Sequence, residues 1–208
     1  MPDAGRVITG SARGLRLGAP GEGTRPLSDR VKQALFGLIE SERPDAWESP
    51  FLDLFAGSGA AGIEALSRGA PRALFVELDG RAVRVIRNKI GRTRLEARGR
   101  ILRRDAVALL RAGAASLAES PVGVVVLDPP YGQTDRLADC LVALGEPSLG
   151  WLDRDAVVVA KHFWRDVPKE RAGELQRMRE RRFGETALSV YRAVPTRPED
   201  VAPTRGGP

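Results

Sequence analysis

The chain has 208 residues, with 33 Lys and Arg against 27 Asp and Glu, one His and one Cys. That length allows one globular domain with a modest appendage, large enough to bury a core without a disulfide or metal staple. One cysteine excludes an internal disulfide and a Cys-based zinc site, and one histidine excludes a multi-His centre within the chain, so no metal is expected.

No apolar run approaches the ~20 residues of a membrane-spanning helix. The stretch Met1 to Arg6 lacks the apolar core of a signal peptide. The expectation is a soluble, cytoplasmic, monomeric protein with no membrane contact. The net charge of +6 and a pI near 10.2 suggest a polyanionic partner. Of the basic residues, 29 are Arg and four are Lys. Genome nucleotide composition produces the same skew, so charge alone does not decide the partner.

Residues 1–25 interleave Arg6, Arg13, Arg16 and Arg25 with glycines, and two short apolar pieces, Val7-Ile8 and Leu15-Leu17, predict a small hairpin. A helix follows, with Ser28 as N-cap and Val31, Leu35, Leu38 and Ile39 on one face, ending before Pro44. From Pro50 strands and helices alternate. Strands are predicted at 51–55, 73–77, 100–103, 122–127 and 156–160. Helices are predicted at 59–68, closed by Gly69, at 81–90, from an Asp105 cap through Leu117, and at 133–144. Val122 to Leu127 is continuously aliphatic, as a strand covered on both faces should be. Residues 182–194 predict a closing hairpin around Gly184. Residues 195–208 carry four Pro and no apolar period, and predict a disordered tail. The expected domain plan is 1–45 as a basic hairpin-and-helix extension, then 46–194 as the main domain.

This alternation predicts an α/β fold with a doubly wound parallel sheet, whose ligand lies beyond the C-terminal strand ends. Four consecutive strands deliver Asp53, Glu77, Asp105 and Asp128 to that edge. The loop Gly57-Ser58-Gly59-Ala60-Ala61-Gly62 fits G-x-G-x-x-G, with Glu77 at the spacing of a ribose-binding acid. A dinucleotide site is therefore one reading. Asp53 favours another, because a carboxylate repels a pyrophosphate but attracts an ammonium. S-adenosylmethionine carries an ammonium, a ribose diol and an adenine amine, suited to Asp53, Glu77 and Asp105 respectively. Ala56, Gly57, Gly59, Leu78 and Ala106 complete the expected cofactor cradle, where glycines let the backbone approach the ligand.

Asp128-Pro129-Pro130-Tyr131 suggests the chemistry. A nucleobase amine is a poor nucleophile because its lone pair is delocalised into the ring. The Asp128 carboxylate and the Pro129 carbonyl can accept its two N–H groups and free that lone pair for attack on a methyl group. The prolines keep the loop rigid, and Tyr131 can stack on an extruded base. A tight Pro-Pro turn after a buried strand is the plainer reading of the same four residues.

Here the chain resembles a known family, the RsmD-type methyltransferases that modify a guanine N2 of bacterial small-subunit rRNA. The resemblance runs from about residue 6 to 193. It rests on Arg6-Val7-Ile8-Thr9-Gly10, Gly14-Leu15-Arg16-Leu17, Thr24-Arg25-Pro26-Leu27-Ser28-Asp29-Arg30-Val31, Asp53 to Gly59, Gly62 to Gly69, and Asp128 to Tyr131. It implies a seven-stranded Rossmann-like class I methyltransferase sheet, S-adenosylmethionine as cofactor, and rRNA or a small ribosomal subunit assembly intermediate as partner. It also implies that Arg25 and Arg30 sit near cofactor or RNA. The departure is Lys161-His162-Phe163-Trp164, which stands where many relatives carry a Glu.

The arginines Arg6, Arg13, Arg16, Arg25 and Arg30 are the expected RNA contacts. Arg81, Arg84 and Arg87, and the cluster Arg177, Arg179, Arg181 and Arg182, read as solvated surface. His162 and Cys140 read as structural. A DNA adenine N6-methyltransferase, a dinucleotide-dependent oxidoreductase and a non-catalytic RNA-binding protein are the alternatives. The first usually needs a sizeable target-recognition insertion, for which no segment here is long enough.

Overall fold

The structure, a computed structural model, describes residues 5–16, 28–119 and 121–194. The predicted tail, Leu17, Pro26 and the expected RNA contact Arg25 lie outside the described residues. Helix α1 spans Asp29–Glu42, capped by Ser28, whose hydroxyl accepts from the Val31 amide at 3.3 Å. Strand β1 (Phe51–Leu54) leads through a glycine loop into α2 (Ala60–Arg68), which Gly69 closes at φ +124. Then follow β2 (Ala73–Glu77), α3 (Gly80–Thr93), β3 (Gly99–Arg103) and α4 (Ala106–Arg111). The order continues with β4 (Val122–Leu127), α5 (Thr134–Leu144), β5 (Leu152–Phe163), β6 (Arg171–Ala172), β7 (Leu175–Phe183) and β8 (Thr186–Ala193).

One sheet holds them in the order β3-β2-β1-β4-β5-β8-β7-β6. Strands β3 to β5 are parallel and β5 to β6 antiparallel. The seven-stranded expectation matches the seven longer strands, with the two-residue β6 added at the antiparallel edge. Alternate residues feed two core layers. Phe51, Phe75, Val124, Val126, Val157 and Val159 pack with α1, α2 and α3. Leu52, Leu54, Val76, Val125, Leu127 and Val158 pack with α4 and α5. Residues of β4 are buried throughout. Among the described residues no helix is long and apolar enough to cross a membrane.

Two local readings change. The helix expected to reach Leu117 stops at Arg111, because Gly113 takes φ +77 and starts a separate 3-10 turn over Ala114–Leu117. The last hairpin is longer than expected, since β7 begins at Leu175. Beyond β7 only the short β6 pairs, so most of its residues face water on both sides and carry no alternating pattern.

The N-terminal hairpin forms, with an Arg6–Arg16 bridge and the Val7 amide donating to Leu15 O at 3.0 Å. Its tip docks on the C-terminal end of α2. The Ala12 amide donates to Ser67 Oγ at 2.9 Å, and that hydroxyl donates to Thr9 O at 2.6 Å. Gly10 has φ +89, and a Cβ there would lie 1.8 Å from Ser67 O. Midway up α2, the fully buried Glu64 accepts from the amides of Ile8 (2.7 Å) and Thr9 (3.0 Å). Lys32 of α1, equally buried, lies 3.7 Å from Glu64 and donates to Arg6 O. The charges hold because each has several partners where water cannot reach.

Candidate active site

Strand order reverses between β1 and β4, which makes the space beyond their C-terminal ends the natural crevice. The glycine loop leaves β1 there. Phe55 has φ +60, Gly57 +53 and Gly59 +75, so the chain turns sharply through left-handed conformations. The space at Gly57 is open: nothing lies nearer its missing Cβ than Phe55 O at 3.8 Å. Any side chain would fill this cradle. Gly59 and Gly62 are constrained from the protein side instead, by Ile86 at 3.1 Å and by the Phe75 ring at 2.3 Å.

Asp53 lies within β1, 2% exposed, and its Oδ2 accepts from the Gly62 amide at 2.9 Å. Burial pushes its carboxyl well above the usual carboxylate range. The Gly62 N–H opposes this, and the Asp128 and Glu77 charges reinforce it. Glu77, ending β2, accepts from the Gly57 amide at 2.7 Å and from the Asp79 amide at 2.8 Å. Its carboxylate is thus fixed beneath the loop, with lone pairs to spare. Leu78 is 56% exposed beside it. Asp105 caps α4 through the Ala108 amide at 2.9 Å and pairs with Arg136 of α5. The Ala108 N–H above all holds the Asp105 carboxyl below its ordinary range; burial pushes it upward, and Arg136 adds to the lowering. Ala106 is buried in the first turn of α4.

Across the crevice, the Asp128 amide donates to Leu54 O at 3.2 Å, which ties the catalytic-loop candidate to β1. Pro129 is buried, while Pro130 and Tyr131 are exposed. Leu127 and Ala160 are register partners, so Lys161 stands beside Asp128 and donates to its Oδ1. The same ammonium lies 5.1 Å from the Tyr131 ring centre. The Tyr131 hydroxyl shares a 2.7 Å hydrogen bond with Thr186 Oγ1. One rigid group therefore combines Asp128, Lys161 and Tyr131.

The family model described as "Conserved hypothetical protein 95" matches residues 5–192. A Bacillus subtilis (strain 168) protein named "Putative rRNA methyltransferase YlbH" is 35% identical over 188 residues, 90% of this chain and 98% of that protein. "Ribosomal RNA small subunit methyltransferase D" of Escherichia coli (strain K12) is 35% identical over 156 residues, 74% of this chain and 72% of that protein. The solved structure of "Putative methyltransferase yhhF" from Escherichia coli superposes with a TM-score of 0.74 at 29% identity, over 90% of this chain and 97% of that one. The chain belongs to the RsmD-type methyltransferase family. It is a methyltransferase, as its D-P-P-Y loop suggested.

In this RsmD-type chain the expected RNA-contacting arginines are scattered. Arg6, 3.5 Å from Asp29, and exposed Arg30 lie by the start of α1. Exposed Arg16 is opposite Arg6 in the hairpin, and exposed Arg13 is at its tip. That tip packs at the end of α2 away from the glycine loop, roughly 13 Å down a nine-residue helix. His162 is buried, bonded to Ser189 Oγ at 2.9 Å, and burial lowers its pKa. Cys140 is buried, its thiol pushed up to about 12 by burial. Both behave as structural residues. Sequence reasoning missed the Asp105–Arg136 pair, the Asp128–Lys161 pair and the Lys32–Glu64 anchor. The one available signal was Glu64, a charged residue in the middle of a helix otherwise small or apolar up to its last turn.

Proposed function

We propose that this methyltransferase uses S-adenosylmethionine to methylate the exocyclic N2 amine of a guanine in small-subunit rRNA, presented in naked rRNA or in an assembling particle. The observation that carries the reading is the placement of Asp128-Pro129-Pro130-Tyr131 directly across the switch-point crevice from the open glycine cradle. The rRNA substrate named for the relatives fits the basic charge of this chain.

The cofactor fits the residues present. Gly57 and Gly59 with Ala56 would admit its methionine portion, and Asp53 would compensate the ammonium, through water given its burial. Glu77 would take both ribose hydroxyls on its spare lone pairs. Leu78 and Ala106 would bracket the adenine, and Asp105 would take its amine on a lone pair left by Ala108 and Arg136. Bound there, the cofactor supplies an electrophilic methyl group on sulfur.

The chain's own residues do the rest. Lys161 occupies one oxygen of Asp128, which leaves the other and the Pro129 carbonyl to accept the two N–H groups of the amine. The nitrogen then offers its lone pair in line with the methyl group, and a C–N bond replaces the C–S bond. The extra proton leaves the nitrogen to Asp128 or water. Tyr131, anchored by Thr186, presents its ring to the extruded base. Exposed Arg6, Arg13, Arg16 and Arg30 are proposed as contacts to RNA phosphates, as is Arg25, which lies outside the described residues.

The deciding experiment is radiolabelled methyl transfer to small-subunit particles, naked rRNA and DNA in parallel, followed by nucleoside analysis. N2-methylguanosine from the RNA arms is the expected product. Label found in DNA as N6-methyladenine would replace this reading with the DNA alternative.

Cofactor binding should also move a proton. Burial raises the Asp53 pKa in the free protein, so its stabilising effect is full below the ordinary carboxylate range and declines as pH rises. A bound ammonium reverses this by favouring the carboxylate. Between the free and bound pKa values, binding therefore releases a proton and affinity rises with pH. S-adenosylhomocysteine calorimetry in buffers of different ionisation enthalpy should detect that release, and Asp53→Asn should abolish it.

A further inference from the structure

We infer that the end of β5 and the β7–β8 turn form the surface that holds the RNA strand adjoining the target nucleotide. The inference rests on the proposed RNA substrate and says where that RNA lies. A continuous line of rings leaves the catalytic loop on this side. Tyr131 meets Phe163 edge-on at 6.0 Å, and Phe163 meets Trp164 at 6.2 Å. The guanidinium of Arg182 lies 3.6 Å from the Trp164 ring centre, and that of Arg165 lies 4.8 Å from it. Both arginines are exposed.

The framework beneath is rigid. Phe163 and Thr186 are register partners, as are Phe183 and Thr186, and the Trp164 amide donates to Glu185 O at 3.1 Å. Arg182 is held further by a 2.8 Å bond from Nε to Gly184 O. A guanidinium stacked on an indole keeps its plane fixed and points its remaining N–H groups outward along that plane. That is the geometry that engages phosphate oxygens in pairs. Rings interleaved with such cations suit a single-stranded, partly unstacked RNA segment better than a duplex.

Position supports the same conclusion. The Thr186 hydroxyl that starts β8 holds Tyr131 itself, so this surface and the catalytic loop are one unit. The tip of the N-terminal hairpin, in contrast, is committed to the far end of α2. Arg182, which reads in sequence as ordinary surface, is brought beside the site by the pairing of β7 with β8 and of β8 with β5.

The test compares wild type, Arg165→Ala, Arg182→Ala and the double variant in methyl transfer to rRNA or particles. An Arg84→Ala/Arg87→Ala variant, altered on the exposed face of α3, serves as control. The double variant should raise KM for RNA about tenfold, with kcat at saturating RNA and S-adenosylhomocysteine affinity within twofold. The slope of log affinity against log salt should fall by about 1.4, at about 0.7 per lost phosphate contact. If Arg182→Ala lowers the melting temperature, Arg165→Ala alone carries the test with half the slope change. An active double variant with unchanged KM and salt slope would overturn this surface and leave the proposed function standing. A wild type that methylates no RNA would overturn both.

Discussion

Asp128→Ala should reduce methyl transfer by about a thousandfold or more while S-adenosylhomocysteine affinity stays within about threefold. The geometry explains the separation. Asp128 follows β4 on one side of the crevice, whereas the glycine loop and Glu77 belong to β1 and β2 on the other. Removing the carboxylate takes away one acceptor for the amine and the counter-ion of Lys161. Asp128→Asn is the sharper variant, since it keeps the shape and one acceptor oxygen but makes the second position a donor. A single-turnover assay with saturating RNA, paired with calorimetry, reads both quantities. Retained turnover in either variant would remove Asp128 from the chemistry.

Glu64→Ala should be the most destabilising single truncation of a charged residue described here. The side chain is fully buried and accepts from Ile8, Thr9 and Arg68, with Lys32 3.7 Å away. Burial already depresses the Lys32 pKa, against the pull of Glu64 and Asp29. Removing Glu64 leaves that ammonium without its main partner and strands two backbone N–H groups. Breaking a buried pair from one side costs about 3–5 kcal/mol. In a domain of this size that lowers the melting temperature by roughly 10 °C. Trypsin should also cut earlier at Arg6, Arg13 or Arg16 as the hairpin detaches. A melting temperature within about 2 °C of wild type would show that the anchor is dispensable.

What could be read from the sequence follows a physical line. Strands buried on both faces, such as Val122 to Leu127, announce themselves by aliphatic continuity. The residues after them announce the crevice, since acids seldom end several successive strands without a ligand to serve. Ser28, Gly69 and Asp105 marked helix ends because capping is chemistry between near neighbours. Pairings between distant segments carry no such mark. Lys161 reaches Asp128 across 33 positions, and Arg136 reaches Asp105 across 31. Strand β7 escaped because its exposed faces have no apolar face to alternate with. Asp53 is legible in the sequence as an acid on the strand that leads into the glycine loop. Its bond to the Gly62 amide shows that the same carboxylate also braces the helix behind the loop.

The anchored hairpin has a consequence for how the chain is made. Ile8 and Thr9 are synthesised before the carboxylate that receives them, which follows 56 and 55 positions later on α2. Until that helix forms and packs, the hairpin's donors have water as partners and its arginines are uncommitted. Docking therefore cannot precede β1 and the α2 helix that carries Glu64 and Ser67. The hairpin is thus made before its partner and has to wait for it.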